Sequence, residues 1–454
     1  MTNNRIVIAG SRSGVGKTTV SLGLMAALTQ RKFDIQPYKV GPDYIDPGFH
    51  TLVTGNFSYN LDSYFLGKNG VKELYKNSVN GSDLAIIEGV MGLFDGKGKK
   101  GFSSTAEIAK ILKSPVILVV DGKKMAQSGA ALAYGYKNYD EALNVKGVVL
   151  NNIVSERHYQ LLKEAIEDRP VDLKVLGYIP CLNELELPER HLGLVPTRES
   201  KNLDDYFSRL VGIMEEYTDL NEIFNIASNL PEIKLNSEKL YNQQKKYDIK
   251  LGIAYDQAFN FYYKYNLDLL KGLGADLIYF SPVKDKKLPE VDAVYIGGGF
   301  PESFLECLAA NQSLKDDIKE KVNSGMPIYA ECGGLMYLSK EIIGLDGNRY
   351  PMLDLISAST IMKKSLQEMG YREIKSVKDN IILKKGEKAR GHVFHYSRLD
   401  NWQGEIECCY QLKNFREGYQ SASNIMASYV HLHFASNINI AHNLLQNAQH
   451  FTTK

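Results

Sequence analysis

The sequence predicts an α/β protein of two domains, the first of them built on a parallel β-sheet. The chain has 454 residues, more than one ordinary core requires, because domains usually hold about 100 to 200 residues. β-Rich runs alternate with helical patterns in both halves, and a polar segment without strand signals lies between the halves. Strands that alternate with helices are typical of parallel sheets covered by helices.

The first domain is predicted over residues 1–235. Its strand-like runs are RIVIAG, IQPYKV, LAIIEGV, PVILVVD, KGVVLNN and KVLGYIP. Helical patterns run from Lys17 to about Gln30 and from about Thr105 to Leu112. From about Thr218 to Tyr247 the sequence is polar, which is typical of a linker or connecting helix.

The second domain is predicted over residues 248–454. Its strand-like runs are KLGIAYD, ADLIYFS, DAVYIGGGF and MPIYAECGG, followed by shorter ones around ARGHVFHYS and ASYVHLHFAS. The same alternation with helical patterns predicts a second α/β sheet.

Composition excludes several classes of protein. Hydrophobic residues make up 44% and charged residues 24%, and the net charge is +1, so no nucleic acid or membrane partner is predicted. The N-terminus has no signal-peptide pattern and no segment approaches the roughly 20 apolar residues of a membrane span. Five cysteines without CxxC spacing favour neither disulfides nor zinc. We therefore expect a cytoplasmic protein that acts on small molecules; its oligomeric state does not follow from these features.

A glycine-rich turn, GSRSGVGKTT, joins the first strand to the first helix. Backbone amides in such a turn bind phosphate oxygens, a lysine adds positive charge and a threonine hydroxyl ligates Mg²⁺. The alternative is an ordinary glycine turn, but the strand, turn and helix context favours a phosphate site. The residues predicted to bind ATP here are Gly14, Val15, Gly16, Lys17, Thr18 and Thr19.

Carboxylates follow the next strands, where an open parallel sheet places its ligands. Mg²⁺ prefers hard oxygen ligands, so Thr18, Asp43 and Glu88 are the predicted metal ligands. Any one of the acids alone could be a solvated turn residue. Three further residues, predicted to act on the reacting phosphate and the carboxylate that it activates, are Lys39, Asp46 and Asp95.

The second domain contains a cysteine at a sharp turn, Glu331 to Gly334, between a strand and a helix predicted from Leu335. This pattern is typical of a nucleophile elbow. We expect the helix dipole to favour the thiolate of Cys332; the alternative is a buried structural cysteine. The backbone amides predicted to form an oxyanion hole are those of Gly298, Gly299 and Gly333.

A thiolate that attacks a carboxamide needs an imidazole to protonate the departing ammonia. The late segment YVHLHF offers two, of which His431 is the predicted base. Another pair, His392 and His395, has no matching cysteine or acid cluster, so it is interpreted as lining the core or a domain interface rather than binding a metal.

Two sets of motifs carry family resemblances. The P-loop has one residue more than the usual GxxxxGK[ST] spacing and resembles that of the dethiobiotin synthetase-like ATPases, which implies that Asn151 reads the adenine edge. GGGFPE, AECGG and YVHLHF resemble class I glutamine amidotransferases of the cobalamin-pathway branch. Other class I members have glutamate two residues after the histidine, where this chain has His433, so a complete Cys-His-Glu triad is not predicted.

In order, GSRSGVGKTT, KVGPDYIDPGFH, EGVMGLFDG, LPERHLGL, IGGGFPE, AECGG and RGHVFHYS resemble amide-forming enzymes of cobalamin synthesis. The resemblance implies an N-terminal P-loop parallel-sheet ATPase domain and a C-terminal class I glutamine amidotransferase domain. It also implies that ATP, Mg²⁺ and glutamine serve to amidate the a and c acetates of cobyrinate through acyl phosphates. The alternatives are hydrogenobyrinate or nickel-sirohydrochlorin as substrate, a switch ATPase with an inactive amidotransferase domain, or a stand-alone glutaminase.

Overall fold

The structure is a computed structural model that describes residues 4–79, 81–98, 101–168, 170–181, 189–190, 193–194, 203–235, 240, 244–400 and 407–453. The chain divides into two compact units, Met1–Glu238 and Lys239–Lys454. The sequence had predicted domains over 1–235 and 248–454, and part of the segment between them, 236–239 and 241–243, lies outside the described residues.

The first unit is built on a seven-stranded, wholly parallel sheet with the spatial order β3-β2-β4-β1-β5-β6-β7. Every residue of its central strand is buried, as expected for a sheet covered by helices on both faces. The strands are β1 (Arg5–Gly10), β2 (Ile35–Val40), β3 (Tyr59–Leu61), β4 (Leu84–Glu88), β5 (Val116–Asp121), β6 (Val145–Ile153) and β7 (Lys174–Pro180). A separate hairpin follows, formed by β8 (Glu189–Arg190) and β9 (Gly193–Leu194).

Helices connect these parallel strands. The helices are α1 (Lys17–Gln30), α2 (Asp46–Thr54), α3 (Ser63–Ser78), α4 (Thr105–Leu112), α5 (Gln127–Asn138), α6 (Glu156–Glu167), α7 (Leu203–Tyr217) and α8 (Leu220–Ala227). The last of them lies in the predicted linker, yet Leu220, Ile223 and Ala227 are buried in the core of the unit. Of the two options predicted for this segment, a linker or a connecting helix, the structure has a helix at Leu220–Ala227 with one apolar face.

The second unit contains a ten-stranded sheet with the order β11-β10-β12-β13-β22-β21-β20-β17-β18-β23. Its first five strands are parallel and the rest pair antiparallel. A smaller sheet has the order β15-β14-β16-β19. The strands are β10 (Ile249–Ala254), β11 (Ala275–Phe280), β12 (Ala293–Ile296), β13 (Ile328–Glu331), β14 (Ser339–Ile343), β15 (Arg349–Pro351), β16 (Ile356–Met362), β17 (Glu368–Ser376), β18 (Lys388–His395), β19 (Ser397–Asp400), β20 (Glu407–Gln411), β21 (Arg416–Gln420), β22 (Ile425–Ser428) and β23 (His431–Leu432).

The helices in the described part of this unit are α9 (Lys264–Gly272), α10 (Leu305–Ala310), α11 (Gln312–Asn323), α12 (Gly333–Leu338) and α13 (Asn439–Thr452), with short 3-10 helices at Pro301–Ser303 and Phe434–Ser436. Among the helices of the described residues, none is long and apolar enough to cross a membrane.

The predicted α/β class and its two-domain organisation are confirmed. The sequence did not predict the antiparallel half of the second sheet, because short strands of mixed polarity carry a weak periodic signal. Half of the LPERHLGL motif, residues 187, 188, 191 and 192, lies outside the described residues.

Candidate active sites in the two domains

The glycine-rich turn leaves β1 at Gly10 and enters α1 at Lys17. Gly14 and Gly16 have φ angles of 72° and 92°, a region that residues with a Cβ rarely adopt. A methyl group on Gly16 would also lie 2.1 Å from Asn151 Nδ2. These glycines therefore permit a tight turn at the N-terminus of a 14-residue helix, which is a favourable place for phosphate.

The predicted nucleotide-binding side chains lie in this turn and in the first turn of α1. Lys17 is buried, and burial together with the charge of Lys39 lowers its pKa to about 8. Val15 is buried, whereas Thr18 and Thr19 are partly exposed and Gly14 is exposed. The backbone of Gly14 and the hydroxyl-bearing residues Thr18 and Thr19 are therefore accessible, while Val15 and Lys17 are buried beneath them.

The side chain of Asn151 is hydrogen-bonded to the backbone of this turn. Its Nδ2 donates a hydrogen bond of 2.9 Å to the carbonyl oxygen of Val15. Its neighbour Asn152 has a positive φ of 58° and donates instead to Asp121 Oδ1 at 3.0 Å. The predicted contact of Asn151 with adenine stays a prediction; the contact with the loop backbone is an additional role that the sequence did not reveal.

A buried cluster of charges lies at the ends of β2 and β4. Lys39 Nζ donates to Asp46 Oδ2 at 2.5 Å, to Glu88 Oε1 at 2.8 Å and to the carbonyl oxygen of Gly89 at 3.2 Å. Thr18 Oγ1 donates to the same Glu88 oxygen at 2.7 Å. The sequence predicts that Lys39 acts on the reacting phosphate, and the structure shows it buried at the centre of the cluster.

Lys39 and Glu88 both remain charged although both are buried. Burial alone would lower the pKa of Lys39, but Asp46 and Glu88 hold it above its usual value. Burial would raise the pKa of Glu88, but Lys39 and a hydrogen bond from His50 hold it well below its usual range. Glu88 is therefore an anion at neutral pH and Lys39 a cation, which is the arrangement that stabilises a buried pair.

His50 is the site residue that sequence reasoning missed in this unit. Its Nε2 lies 2.7 Å from Glu88 Oε2 and its Nδ1 lies 3.1 Å from Ser58 Oγ. It belongs to the quoted motif KVGPDYIDPGFH and follows Asp46 by four residues on α2. Residues at that spacing share one face of a helix, so helical periodicity could have placed His50 beside Asp46.

Asp43 and Asp95 hold the backbone around the cluster. Asp43 Oδ1 accepts hydrogen bonds from the amides of Ile45 and Asp46 at 2.8 and 3.1 Å, at the start of α2. Asp95 is exposed, and its Oδ2 accepts from the amide of Gly92 at 3.0 Å. Both carboxylates thus order the loops that follow β2 and β4.

The oxygens at this site suit magnesium better than a metal that prefers nitrogen or sulfur. In the part of the chain that the structure describes, no three His, Cys, Asp or Glu side chains are grouped to hold a metal ion. Mg²⁺ does not need such a group, because it usually binds one or two side-chain oxygens and completes its coordination with phosphate oxygens and water. Thr18 Oγ1 and Glu88 Oε1, 2.7 Å apart, fit that pattern.

In the second unit, Cys332 occupies a strained turn between β13 and α12. Its φ and ψ are 48° and −102°, a conformation that costs energy for any residue with a side chain. Its amide donates to the carbonyl oxygen of Ser428 at 2.7 Å, and its Sγ lies 4.0 Å from the carbonyl oxygen of Phe394. Such strain at one side chain is a feature of nucleophile elbows.

The expectation that the helix dipole favours a thiolate is wrong for the structure as it stands. Burial, and then the negative charge of Glu302, raise the pKa of the Cys332 thiol above its usual value, and the hydrogen bond with the Gly333 amide offsets this only in part. The helix has just six residues, so its dipole is weak compared with the loss of solvation. The resting side chain is a thiol that requires a base.

His431 and the predicted oxyanion residues lie together around this turn. A methyl group on Gly298 would lie 2.3 Å from His431 Cε1, and one on Gly333 would lie 3.1 Å from the backbone nitrogen of Gly299. Burial lowers the pKa of His431 to about 3, so its imidazole is neutral and able to accept a proton. The structure therefore places His431 beside the glycines that are predicted to form the oxyanion hole, and the roles themselves stay predictions.

The other histidines of the unit have different surroundings. His392 is paired with His431 across β18 and β23. His395 stacks on Tyr429 with ring centroids 3.9 Å apart. His433 Nδ1 accepts from the amide of Ala435 at 3.3 Å, and its ring stacks on Tyr265. The interpretation of His392 and His395 as lining side chains stays a prediction, and His433 packs among tyrosines.

Glu331 is the residue of this site that sequence reasoning missed. Its Oε2 lies 4.0 Å from His431 Nδ1, and both side chains are buried. It occurs in the quoted motif AECGG, directly before the nucleophile. A glutamate at the end of a buried strand was the available signal, because an acid at such a position needs partners.

A phosphate-binding turn in one unit and a Cys-His elbow in the other define a nucleotide-dependent glutamine amidotransferase. Comparison with known families agrees: residues 6–195 match a CobQ/CobB/MinD/ParA nucleotide binding domain and residues 250–438 match a CobB/CobQ-like glutamine amidotransferase domain.

Curated relatives match nearly the whole chain. A cobyrinate a,c-diamide synthase of Caldanaerobacter subterraneus is 46% identical over 94% of this chain and 94% of its own length. Enzymes of the same name from Dehalococcoides mccartyi (43%, covering 98% of each chain) and Priestia megaterium (41%, covering 98% of this chain and 97% of its own) are similar. The chain belongs to the cobyrinate a,c-diamide synthase family, and it is an ATP-dependent ligase with glutamine as its nitrogen donor.

Proposed function

We propose that this chain amidates the a and c acetate carboxylates of cobyrinate in turn, each with one ATP and one glutamine. The observation that carries the proposal is the presence of a P-loop charge cluster and a Cys-His elbow in one chain that aligns along nearly its full length with cobyrinate a,c-diamide synthases. Hydrogenobyrinate and nickel-sirohydrochlorin present similar acetates and remain the alternative substrates.

In the glutaminase step, His431 takes the proton of the Cys332 thiol as the sulfur attacks the carboxamide carbon of glutamine. The amides of Gly298, Gly299 and Gly333 stabilise the negative charge that develops on the carbonyl oxygen. His431 returns the proton to the departing nitrogen, which leaves as ammonia, and water hydrolyses the remaining thioester to glutamate. A protonated resting thiol restrains hydrolysis until glutamine is bound in place.

In the ligase step, a substrate carboxylate attacks the γ-phosphorus of ATP and forms an acyl phosphate with release of ADP. Ammonia then attacks the acyl carbon and phosphate leaves, which yields the amide. Lys17 and the amides of Gly14, Val15 and Gly16 bind phosphate oxygens, and Lys39 compensates the charge that spreads over the transferring group. Asp46 and Asp95 act on the substrate carboxylate, Asp46 through its bond from Lys39 and Asp95 through the loop that it holds.

Magnesium would be held by Thr18, Asp43 and Glu88. When bound, it neutralises charge on the β- and γ-phosphate oxygens of ATP. Glu88 has its own contribution, because its hydrogen bonds from Thr18, Lys39 and His50 fix the positions of those three side chains.

The test is a direct assay of the amidation. Purified protein is incubated with ATP, Mg²⁺, glutamine and one of three tetrapyrroles: cobyrinate, hydrogenobyrinate or nickel-sirohydrochlorin. Mass spectrometry should show two hydroxyl groups of cobyrinate replaced by amino groups, with ADP and glutamate formed. Preference for another macrocycle would change the substrate assignment, and ATP hydrolysis that requires no carboxylate would contradict the ligase assignment.

Replacing Asn151 by alanine should weaken ATP binding about tenfold, because a buried hydrogen bond is worth about 1 kcal/mol and the adenine contact is lost as well. The measurement is binding of ATP and of GTP, with Asn152→Ala as the matched control. We expect the preference for ATP over GTP to fall. Equal weakening of both nucleotides would limit Asn151 to its bond with the Val15 carbonyl and contradict the adenine role.

Replacing Gly298 by alanine should lower glutamine-dependent amidation by about 100-fold and leave ammonium-dependent amidation intact. The added methyl group would lie 2.3 Å from His431 Cε1 and push the imidazole away, and a misplacement of about 1 Å can cost about 100-fold in rate. Gly272→Ala is the control, because a methyl group there meets nothing within 4 Å. Glutamine use at the wild-type rate would contradict the placement of Gly298 against the base.

A further inference from the structure

Glu331 lies at the end of β13, one residue before the nucleophile, with its side chain turned away from solvent. Glu331 and His431 are each only 2% exposed, and Glu331 Oε2 is 4.0 Å from His431 Nδ1. An acid in such a position must be held by hydrogen bonds or by an opposite charge. Hydrogen-bond donors surround Glu331, and His431 could supply the opposite charge when it is protonated during catalysis.

Three donors fix the carboxylate. Tyr329 Oη and the amide of Leu432 donate to Glu331 Oε1 at 2.6 and 3.0 Å, and Tyr295 Oη donates to Oε2 at 2.9 Å. Tyr295 and Tyr329 are neighbours in the parallel pair of β12 and β13, and Tyr329 and Glu331 share one face of their strand because side chains alternate. Two phenols from adjacent strands therefore lock this glutamate.

The hydrogen bonds leave one acceptor position. A carboxylate can accept about four hydrogen bonds, and the donors found among the described residues are two on Oε1 and one on Oε2. The oxygen with the remaining capacity is Oε2, which is also the one 4.0 Å from His431 Nδ1. The bond to the Leu432 amide ties the same carboxylate to the backbone that follows His431.

The residue two positions after His431 does not perform this task. His433 Nδ1 accepts from the amide of Ala435 at 3.3 Å, and its ring packs against Tyr263 and Tyr265 with centroids 4.7 and 5.6 Å away. The His433 side chain therefore caps the N-terminus of the short 3-10 helix Phe434–Ser436.

We propose that Glu331 is the positioning residue for His431 in the glutaminase reaction, so that the acid that orients the base comes from the elbow strand. Closure of Oε2 and Nδ1 from 4.0 Å to about 2.8 Å would make a hydrogen bond, and such bonds often tighten only when substrate is bound. Nδ1–H then donates to Glu331, which leaves Nε2 as the atom that takes the Cys332 proton. No proton passes to Glu331.

The charges at the site agree with this role. Burial lowers the pKa of His431, and the nearby His392 and His395 lower it further. An imidazolium formed there during catalysis would be unstable without a compensating negative charge. Burial raises the pKa of Glu331 to about 7 although three hydrogen bonds favour its charged form, and a cationic neighbour at Nδ1 would favour the carboxylate still more.

The test replaces Glu331 by glutamine, which keeps the shape and removes the charge. We expect kcat with glutamine to fall by about 100-fold or more, with KM for glutamine changed by less than about threefold and ammonium-dependent amidation at the wild-type rate. Glu331→Asp should recover part of kcat, because a shorter carboxylate still pairs with the imidazolium. Glu341→Gln is the matched control: it makes the same substitution in the same unit at a glutamate that instead pairs with Arg349 and accepts from Ser359 Oγ at 2.8 Å, so kcat should remain.

The inference rests on the proposed function, and the experiment separates the two. Wild-type protein that uses ammonium but never glutamine would overturn the proposed function. Wild-type protein that uses glutamine, with Glu331→Gln equally fast, would overturn the role of Glu331. The same role is overturned if Glu331→Gln loses ammonium-dependent activity as severely as glutamine-dependent activity, or if Glu341→Gln loses as much kcat as Glu331→Gln. If Glu331→Gln does not fold, Glu331→Asp decides: a lower kcat with glutamine and an unchanged rate with ammonium support the role, and equal loss of both rates, or no loss, overturns it.

Discussion

Replacing Cys332 by alanine should abolish glutamine-dependent amidation, by more than about 1,000-fold, and preserve amidation with free ammonium. Only the sulfur can form the thioester that releases ammonia, and the ligase step has no use for it. Alanine also keeps the Cβ, so the turn at φ 48° changes little. The measurement compares initial rates with glutamine and with ammonium salts at saturating ATP and cobyrinate.

Cys409 supplies the matched control for that experiment. It is likewise buried in the second unit, and its Sγ lies 3.0 Å from Gln420 Oε1. Cys409→Ala should keep both activities, since its sulfur has no chemical role in the proposed reaction. Loss of both activities in a folded Cys332→Ala protein would contradict two separate sites, and an unchanged rate with glutamine would exclude Cys332 as the nucleophile.

Local motifs explain how much of each site could be predicted. The turn before Lys17 and the elbow at Cys332 depend on residues that are close together in the chain, so glycine spacing and a flanking strand and helix suffice to locate them. The predicted α/β class was confirmed because long parallel strands with helices between them carry a strong periodic signal.

Sheet register explains most of what sequence reasoning missed. Lys39 and Glu88 are partners in the pairing of β2 with β4, and His392 and His431 are partners in the pairing of β18 with β23. Residues so far apart in the chain become neighbours only through register, which a single sequence does not specify. The central position of Lys39 and the surroundings of His431 therefore required the structure.

Burial explains the one chemical expectation that was wrong. The sequence places Cys332 at a helix N-terminus, and that position alone favours a thiolate. It does not show that the sulfur is enclosed near Glu302, and this desolvation and negative charge raise its pKa. Attack by Cys332 therefore depends on the position of His431, because a thiol that is protonated at rest needs a base to remove its proton.

Replacing Lys17 by alanine should lower amidation about 100-fold or more with either nitrogen source, the reverse of the pattern for Cys332→Ala. The ammonium of Lys17 lies in the P-loop with its pKa lowered to about 8 by burial and by Lys39, so it is weakly solvated and well suited to pair with phosphate. Loss of one preorganised charge at a reacting group typically costs about 100-fold to 1,000-fold. Lys137→Ala is the control, because that lysine binds the carbonyl oxygens of Val171 and Asp172 instead.

Glu88→Gln should give the same pattern for a different reason. An amide cannot balance the buried charge of Lys39, and it reverses one of the hydrogen bonds that Glu88 accepts from Thr18, Lys39 and His50. Breaking a buried pair costs about 3 to 5 kcal/mol, so a lower unfolding temperature should accompany the loss of amidation.

In both Lys17→Ala and Glu88→Gln, alkylation of Cys332 by an electrophilic glutamine analogue should continue at the wild-type rate. Ammonium-dependent amidation at the wild-type rate would remove Lys17 and Glu88 from the ligase site, because that reaction bypasses glutamine and still requires ATP.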